Sequence, residues 1–235
     1  MPDGLSIATG VVALLQVTAT VANELKKFHD GASIVHKTIS DLEKDIDSLN
    51  RVLESMRQTF EHITAEQSGG TGHVGSLWDN VARAIQDSKA VLGELQTLIG
   101  EINKDGSFLD EHRKQLRLNR AQERIIRFRL HIHSYRDGLQ LSMQTIILLN
   151  QLSYSKSTEM KVLPSLNELH DDVRRIALDL NQRIESLQAT VYTPQDQRQV
   201  TAMSNLLDCV RSAASTISSA STAVTIKVRK HKKMT

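Results

Sequence analysis

Aromatic residues, proline and cysteine are scarce in this sequence. Aromatic side chains make up 3% of the chain, which has 3 prolines and 11 glycines among its 235 residues. Strands favour aromatic residues and tight turns favour glycine and proline, so this composition favours helix throughout. The single cysteine, Cys209, cannot form an intrachain disulfide. We therefore expect an intracellular, cytoplasmic protein that can associate with a membrane, and not a secreted one.

Short catalytic motifs are also missing. The sequence contains no phosphate-binding glycine loop, no nucleophile elbow and no zinc-protease helix motif. His131 and His133 are two residues apart, so on a helix their side chains diverge, whereas metal ligands on one helix are spaced by three or four. The sequence therefore predicts a protein that is not an enzyme, with no metal site, no cofactor and no identified small-molecule substrate.

An uncharged N-terminal stretch is the first positive feature. Residues 4–23 carry no charge, and about 20 apolar residues suffice to cross a bilayer core. Polar residues such as Gln16 and Asn23 weaken insertion, so two interpretations stay open: a helix buried on nearly all sides within a bundle, or a helix that contacts a membrane. The acidic start at Asp3 argues against a cleaved signal peptide. The candidate membrane-contact residues are Leu5, Ile7, Val11, Val12, Leu14, Leu15, Val17 and Val21.

From Val35 onward, apolar residues recur at alternating spacings of four and three, which indicates heptad-patterned helices. Similar patterns predict helices over residues 77–102, from near Ser107 to 152 with Leu116 in the apolar stripe, and from Pro164, in the first turn, to 191. We therefore predict an all-α fold, a multi-helix bundle with long antiparallel heptad-patterned helices and a hydrophobic N-terminal helix. The clearest of these coiled-coil-like seams comprises Val35, Ile39, Leu42, Ile46, Leu49, Leu53, Met56, Phe60 and Ile63.

The same patterns predict the domain organisation. Residues 1–192 should form the helical bundle domain, with a loop at 153–161. Residues 193–226 are rich in Ser, Thr and Ala and should form a separate, weakly helical segment, because they offer few large apolar groups to a core. Residues 227–235 should form a basic tail.

The fourth predicted helix carries an unusual cationic face. The overall net charge is only +2, so charge on the whole chain selects neither nucleic acid nor membrane as a partner. The candidate anions are phospholipid head groups, nucleic-acid phosphates, or the acidic side of a neighbouring helix at Asp41, Asp45 and Asp47. The candidate anion-binding face comprises Arg113, Arg117, Arg120, Arg124 and Arg127, which are spaced by four and three.

The opening residues 1–8, MPDGLSIA, and 10–17, GVVALLQV, resemble the start of a fungal N-terminal domain family. That family is labelled azaphilone pigments biosynthesis cluster protein L N-terminal domain, and it is similar to the HeLo-like helical domains found ahead of nucleotide-binding STAND modules. The resemblance covers roughly the first 150–200 residues. It implies a non-enzymatic bundle whose N-terminal helix can be released to insert into membrane and trigger programmed cell death.

Three functional interpretations follow. The first is a HeLo-like signalling or membrane-active module. The second is an accessory protein of secondary metabolism, encoded in a pigment biosynthesis cluster, that acts through protein partners or self-association. The third is a nucleic-acid-binding regulator, which is the weakest, because apolar residues at Ile125, Phe128 and Ile132 interrupt the basic stretch where basic-zipper regions have none.

Overall fold

The computed structural model describes residues 4–30, 37–61, 73–103, 111–154, 159–189 and 194–232. These ranges contain helices and no strand, so the predicted all-α bundle is confirmed. The six helices are α1 (Gly4–Asp30), α2 (Lys37–Glu61), α3 (His73–Asn103), α4 (Glu111–Tyr154), α5 (Glu159–Gln188) and α6 (Pro194–Lys232).

The helices form two four-helix groups that share α3 and α4. In the first group α1 packs on α2 and α3, and both of these pack on α4. In the second group α6 packs on α3, α4 and α5, and α5 also packs on α4. Helix α4 has 44 residues, which corresponds to about 66 Å at a rise of 1.5 Å per residue. It therefore serves as the central helix of the bundle, whereas α1 lies at an edge.

The predicted heptad seam of α2 is buried. Its residues from Ile39 to Phe60 point into the bundle, and burying each Leu or Ile contributes roughly 1.5–3 kcal/mol. The ring of Phe60 also contacts that of Trp78 in α3, with ring centroids 5.5 Å apart. The outer members of the predicted seam, Val35 and Ile63, lie outside the described residues.

Two expectations about α4 and α5 were wrong. Leu116, predicted in the apolar stripe of α4, is 56% exposed, and Leu118 is buried instead.

The loop predicted at residues 153–161 is shorter, because α4 continues to Tyr154 and α5 begins at Glu159. Pro164 is therefore the sixth residue of α5, and not part of its first turn. A proline nitrogen carries no hydrogen, so one helical hydrogen bond is absent here. The loss is small because it lies close to a helix end, where several amides already lack a helical partner. Ser107, the predicted start of α4, lies outside the described residues.

The predicted domain boundary at residue 192 also needs correction. Helix α6 is continuous from Pro194 to Lys232, and Met203, Leu206 and Ile217 belong to the same core as α1–α5. Small side chains such as Ala213 bury little area themselves but let helices approach closely, so a segment with few large apolar groups still packs into the core. The backbone of residues 227–232 continues this helix, whereas residues 233–235 of the predicted tail lie outside the described part of the chain.

Candidate membrane-contact and anion-binding sites

Helix α1 buries its apolar side against α2 and α3. Ile7, Val11, Leu14 and Val21 are at most 1% exposed, and Leu15 and Val17 are partly buried. Among the candidate membrane-contact residues, Val12 is 38% exposed, and the side chain of Leu5 lies outside the described set. The described conformation therefore holds the larger apolar groups of α1 in the core, on one side of the helix.

The outward side of α1 carries no charge along its first 20 residues. Soluble helices usually place charged residues on the side opposite the core, as α2 does with Lys44, Asp47 and Arg51. The Thr20 hydroxyl donates to the Gln16 carbonyl at 2.9 Å, which satisfies that hydroxyl within the helix itself. The exposed residues on this side are Ser6, Thr9, Val12, Gln16, Ala19, Thr20 and Asn23.

One stretch of the described residues, Ser6–Phe28, is long and apolar enough to cross a membrane by length and composition. One third of this stretch is buried within the bundle. Core helices of soluble proteins and signal sequences share this composition, so membrane association is allowed by the sequence of α1 without being required by it.

The four arginines of the predicted anion-binding face whose side chains are described do not share one partner. Arg127 Nη1 lies 3.3 Å from Asp196 Oδ1 of α6. Arg117 Nη1 donates to the Ile102 carbonyl at 3.5 Å, in the last turn of α3. Arg120 is exposed and Arg124 half-buried, and neither forms an ion pair within the described part of the chain. The side chain of Arg113 lies outside that part.

The acidic side of α2 binds other residues of α4. Arg129 Nε lies 2.7 Å from Asp45 Oδ2, and its Nη1 lies 3.5 Å from Asp41 Oδ2. His133 Nε2 lies 3.1 Å from the second oxygen of Asp45. Asp47 is exposed. The interpretation in which α2 neutralises the cationic helix therefore holds for Asp41 and Asp45 with Arg129, and not for the four predicted arginines whose side chains the structure describes.

We expect Asp45→Asn to lower the free energy of unfolding by about 2 kcal/mol, because it leaves the partly buried Arg129 guanidinium without its nearest carboxylate. The control is Asp172→Asn. The side chains of Asp172 and Arg175 are 46% and 66% exposed, so their ion pair should contribute less than about 0.5 kcal/mol to the free energy of unfolding. Urea unfolding followed by circular dichroism compares the two variants. Equal losses would contradict a structural role for the Asp45 carboxylate.

Arg117, Arg120 and Arg124 line a cleft between α3 and α4. Its volume is about 260 Å³, and Leu98, Glu101, Ile102 and Ala121 complete its walls. We call this feature the arginine cleft. The sequence pattern indicated the arginines but not the α3 residues, because only the packing of α3 on α4 brings the two sets together. No local motif signals Glu101 or Leu98 as part of a site.

His131 and Tyr135 lie one turn apart on α4, buried in the core. Neither the ring nitrogens of His131 nor the Tyr135 hydroxyl has a hydrogen-bond partner among the described residues. Burial, together with the nearby positive Arg183 and Arg127, lowers the pKa of His131 to about 4. Burial also raises the pKa of Tyr135 well above its usual value, and the carboxylates of Asp87 and Glu94 act in the same direction. Both side chains are therefore neutral near pH 7.

His131, His133 and Cys209 are the remaining candidates for chemistry. His131 faces the core and His133 faces α2, so the two imidazoles diverge as their spacing predicts. No group of three His, Cys, Asp or Glu residues in the described ranges is placed to hold a metal ion. Burial raises the pKa of Cys209 to about 11, which keeps this thiol protonated and unreactive.

Comparison with family models, with curated proteins and with solved structures finds no match to this chain.

Proposed function

We propose that this protein is a membrane-active helical module and that α1 is the element that enters the bilayer. The observation that carries the proposal is the uncharged outward side of α1, at an edge of the bundle where α1 packs only on α2 and α3 among the principal helix contacts. The inward side is apolar except for Thr18, whose hydroxyl donates to Asn50 of α2, so the helix as a whole presents no charge to hydrocarbon between Gly4 and Asn23. A helix of that length and composition can span a bilayer core.

The energetics of release favour this assignment over insertion of another helix. Detaching α1 removes Ile7, Val11 and Leu14 from the core, but the same side chains regain an apolar environment in lipid. Detaching α2 or α6 would carry charged outward faces into hydrocarbon, where each charge costs about 2.5–3.5 kcal/mol at the centre of a helix. Among these helices, the transfer from the bundle core to lipid therefore costs the least free energy for α1.

The charges near the end of α1 support an approach to anionic lipid. Lys26 and Lys27 follow the uncharged stretch, and Lys27 Nζ lies 2.7 Å from the carboxylate of Glu24, which leaves Lys26 as the added positive charge. Asn103 Nδ2, at the end of α3, donates to the Glu24 carbonyl at 3.2 Å, and Arg117 donates to the neighbouring Ile102 carbonyl. The end of α1 and the arginine cleft therefore lie at the same end of the bundle, and together they form a cationic surface. Such surfaces attract anionic head groups.

Liposome flotation tests this proposal with a charge placed on the outward side of α1. Ala19 is exposed, so Ala19→Glu should leave the bundle folded while opposing insertion by about 3 kcal/mol. We expect the unaltered chain to float with anionic vesicles and to resist high salt, and the variant to lose most of this binding. Leu178→Glu, at a 64% exposed site on α5, introduces the same charge and should float like the unaltered chain.

Two outcomes would contradict insertion of α1. Failure of the unaltered chain to float with any vesicle at any salt concentration is the first, and equal flotation of both glutamate variants and the unaltered chain is the second. Far-UV circular dichroism of each variant should show the same helix content, which separates loss of binding from loss of fold. The resemblance to HeLo-like domains adds programmed cell death in a fungus as the biological setting of the proposed activity.

A second candidate function, that of an interaction or accessory protein, is favoured by apolar side chains on the surface. Ile126 and Leu130 are exposed one turn apart on α4, and Leu178 is exposed on α5. Exposed apolar groups that cluster favour contacts with another protein. Sedimentation over a range of protein concentrations should then show self-association that Leu130→Glu weakens.

A further inference from the structure

Helix α1 contains a heptad seam of its own, which α2 and α3 cover. The buried residues of this seam recur at alternating spacings of four and three, as they do in α2. Thr18 is the fourth of its seven members, is fully buried, and is the polar residue in an otherwise apolar series. The seam comprises Ile7, Val11, Leu14, Thr18, Val21, Leu25 and Phe28.

A polar residue in a heptad seam lowers stability but restricts how the helices pair. The Thr18 hydroxyl donates to Oδ1 of Asn50, which is half-buried on α2. A shift of α1 along α2 would separate these two groups and leave the hydroxyl facing apolar side chains, where an unpaired polar group is unfavourable. The hydrogen bond between Thr18 and Asn50 therefore favours the observed docked position of α1 over other positions on α2.

The Thr18 hydroxyl also has an acceptor within α1. The Leu15 carbonyl oxygen lies 2.9 Å from Thr18 Oγ1. Because a hydroxyl carries one hydrogen, the Asn50 and Leu15 oxygens are alternative acceptors. When α1 leaves the bundle, the hydroxyl donates to the Leu15 carbonyl, as threonine hydroxyls do in membrane helices, and water becomes the partner of Asn50. Release of α1 therefore breaks one hydrogen bond between helices and leaves neither of its two groups unpaired.

The interface between α3 and α6 is held by stronger hydrogen bonds. There Asn205 donates to the Asp87 carboxylate at 2.9 Å, and Gln199 donates to the Glu94 carboxylate at 3.3 Å. Hydrogen bonds to an ionised group are roughly twice as strong as those between neutral groups, and an ionised carboxylate is costly to transfer into lipid. The neutral hydrogen bond of Thr18 is easier to break, which suits a contact that opens when α1 is released.

We propose that the hydrogen bond between Thr18 and Asn50 is an autoinhibitory contact, which holds α1 in the bundle and limits its release. This inference rests on the proposed insertion of α1, to which it adds the step that precedes insertion. Asn50 lies on α2, so it acts on the docked state alone. A substitution of Asn50 therefore changes the release of α1 without changing the apolar character of α1 itself.

Hydrogen exchange of the full chain, read by mass spectrometry, measures the opening of α1 without any membrane. In Asn50→Ala we expect the amides of α1 to exchange about two- to tenfold faster, which corresponds to the net contribution of one hydrogen bond. The control is Asn80→Ala, because Asn80 is also half-buried and its Nδ2 lies 2.6 Å from Ser212 Oγ at the interface of α3 with α6. The proposal is overturned if α1 exchanges no faster in Asn50→Ala than in Asn80→Ala.

A double-mutant cycle assigns the effect to the pair. Thr18→Val removes the hydroxyl with little change in volume. It should accelerate the exchange of α1 less in the Asn50→Ala chain than in the otherwise unaltered chain, because the acceptor on α2 is already absent. Additive effects of the two substitutions would show that the side chains do not act through each other, and would overturn the proposal.

Flotation with anionic vesicles separates this proposal from the insertion of α1. The apparent affinity for vesicles is proportional to the fraction of the chain in which α1 is released, so Asn50→Ala should raise it by the same factor as the exchange rate. Faster exchange without flotation of any chain would contradict insertion alone, since the contact would still hold α1 in the bundle. Faster exchange with equal flotation of Asn50→Ala and the unaltered chain would overturn the autoinhibitory role.

Discussion

Replacing His131 with leucine should remove most of the acid sensitivity of the fold between pH 6.5 and pH 4. The imidazole is buried and has no hydrogen-bond partner among the described residues, and its pKa is lowered to about 4. The unfolded chain, with a pKa near 6.5, binds a proton in this interval, whereas the folded chain does not. The contribution of the neutral His131 imidazole to the free energy of unfolding is therefore fully present above pH 6.5 and is lost as the pH falls toward 4. Below pH 4 this group causes no further loss.

The expected size of this effect follows from the pKa difference. A shift from 6.5 to about 4 corresponds to about 3 kcal/mol of unfolding free energy lost across the interval. His131→Leu should flatten this part of the pH profile. It should also stabilise the protein at pH 7 by about 1 kcal/mol or more, because two unpaired ring nitrogens are replaced by an apolar group of similar size.

Chemical denaturation at a series of pH values measures the effect. The control is His170→Leu, because His170 is exposed on α5 and its replacement should leave the pH profile unchanged. If His131→Leu loses stability between pH 6.5 and 4 as steeply as the unaltered chain, then other titrating groups dominate and the neutral buried imidazole is not the cause.

Gly138→Leu should destabilise the protein by about 3 kcal/mol, the second large effect that we expect. A Cβ atom at Gly138 would lie 2.6 Å from Leu206 Cδ1 and 3.2 Å from its Cγ. Leu206 is fully buried between α4 and α6, so it has little room to move away. Leucine is a better helix former than glycine by roughly 0.8 kcal/mol, so any loss must come from steric overpacking at this crossing.

Two further variants separate sterics from helix propensity. Gly93 and Gly100 of α3 have nothing within 4 Å of an added Cβ, so Gly93→Ala should stabilise the protein by roughly 0.5–1 kcal/mol. Gly138→Leu combined with Leu206→Ala should lose less stability than the sum of the single losses, because the smaller side chain on α6 makes room for the larger one on α4. Strict additivity in thermal or urea unfolding would argue against a close approach at this crossing.

The membrane-contact and anion-binding predictions show which features a local sequence pattern can predict and which it cannot. The uncharged run at residues 4–23 predicted a distinctive helix, and α1 has that helix, but its sequence did not indicate which residues face outward. The arginine spacing predicted one cationic face. The structure instead divides that face between an ion pair of Arg127 with α6 and a cleft that contains Arg117, Arg120 and Arg124. Partners on other helices made this division, and no local sequence signal carries that information.

The sequence by itself determined that the chain is helical, where most helices lie, and which side of α2 is buried, because helix periodicity and heptad spacing are properties of neighbouring residues. It did not determine that α6 belongs to the core, that Leu116 is exposed, or that His131 is buried without a partner. Those features depend on which helices pack together and how closely. They arise from contacts between residues far apart in the chain, such as Gly138 with Leu206 and Asp45 with Arg129, and only the tertiary structure brings these residues into contact.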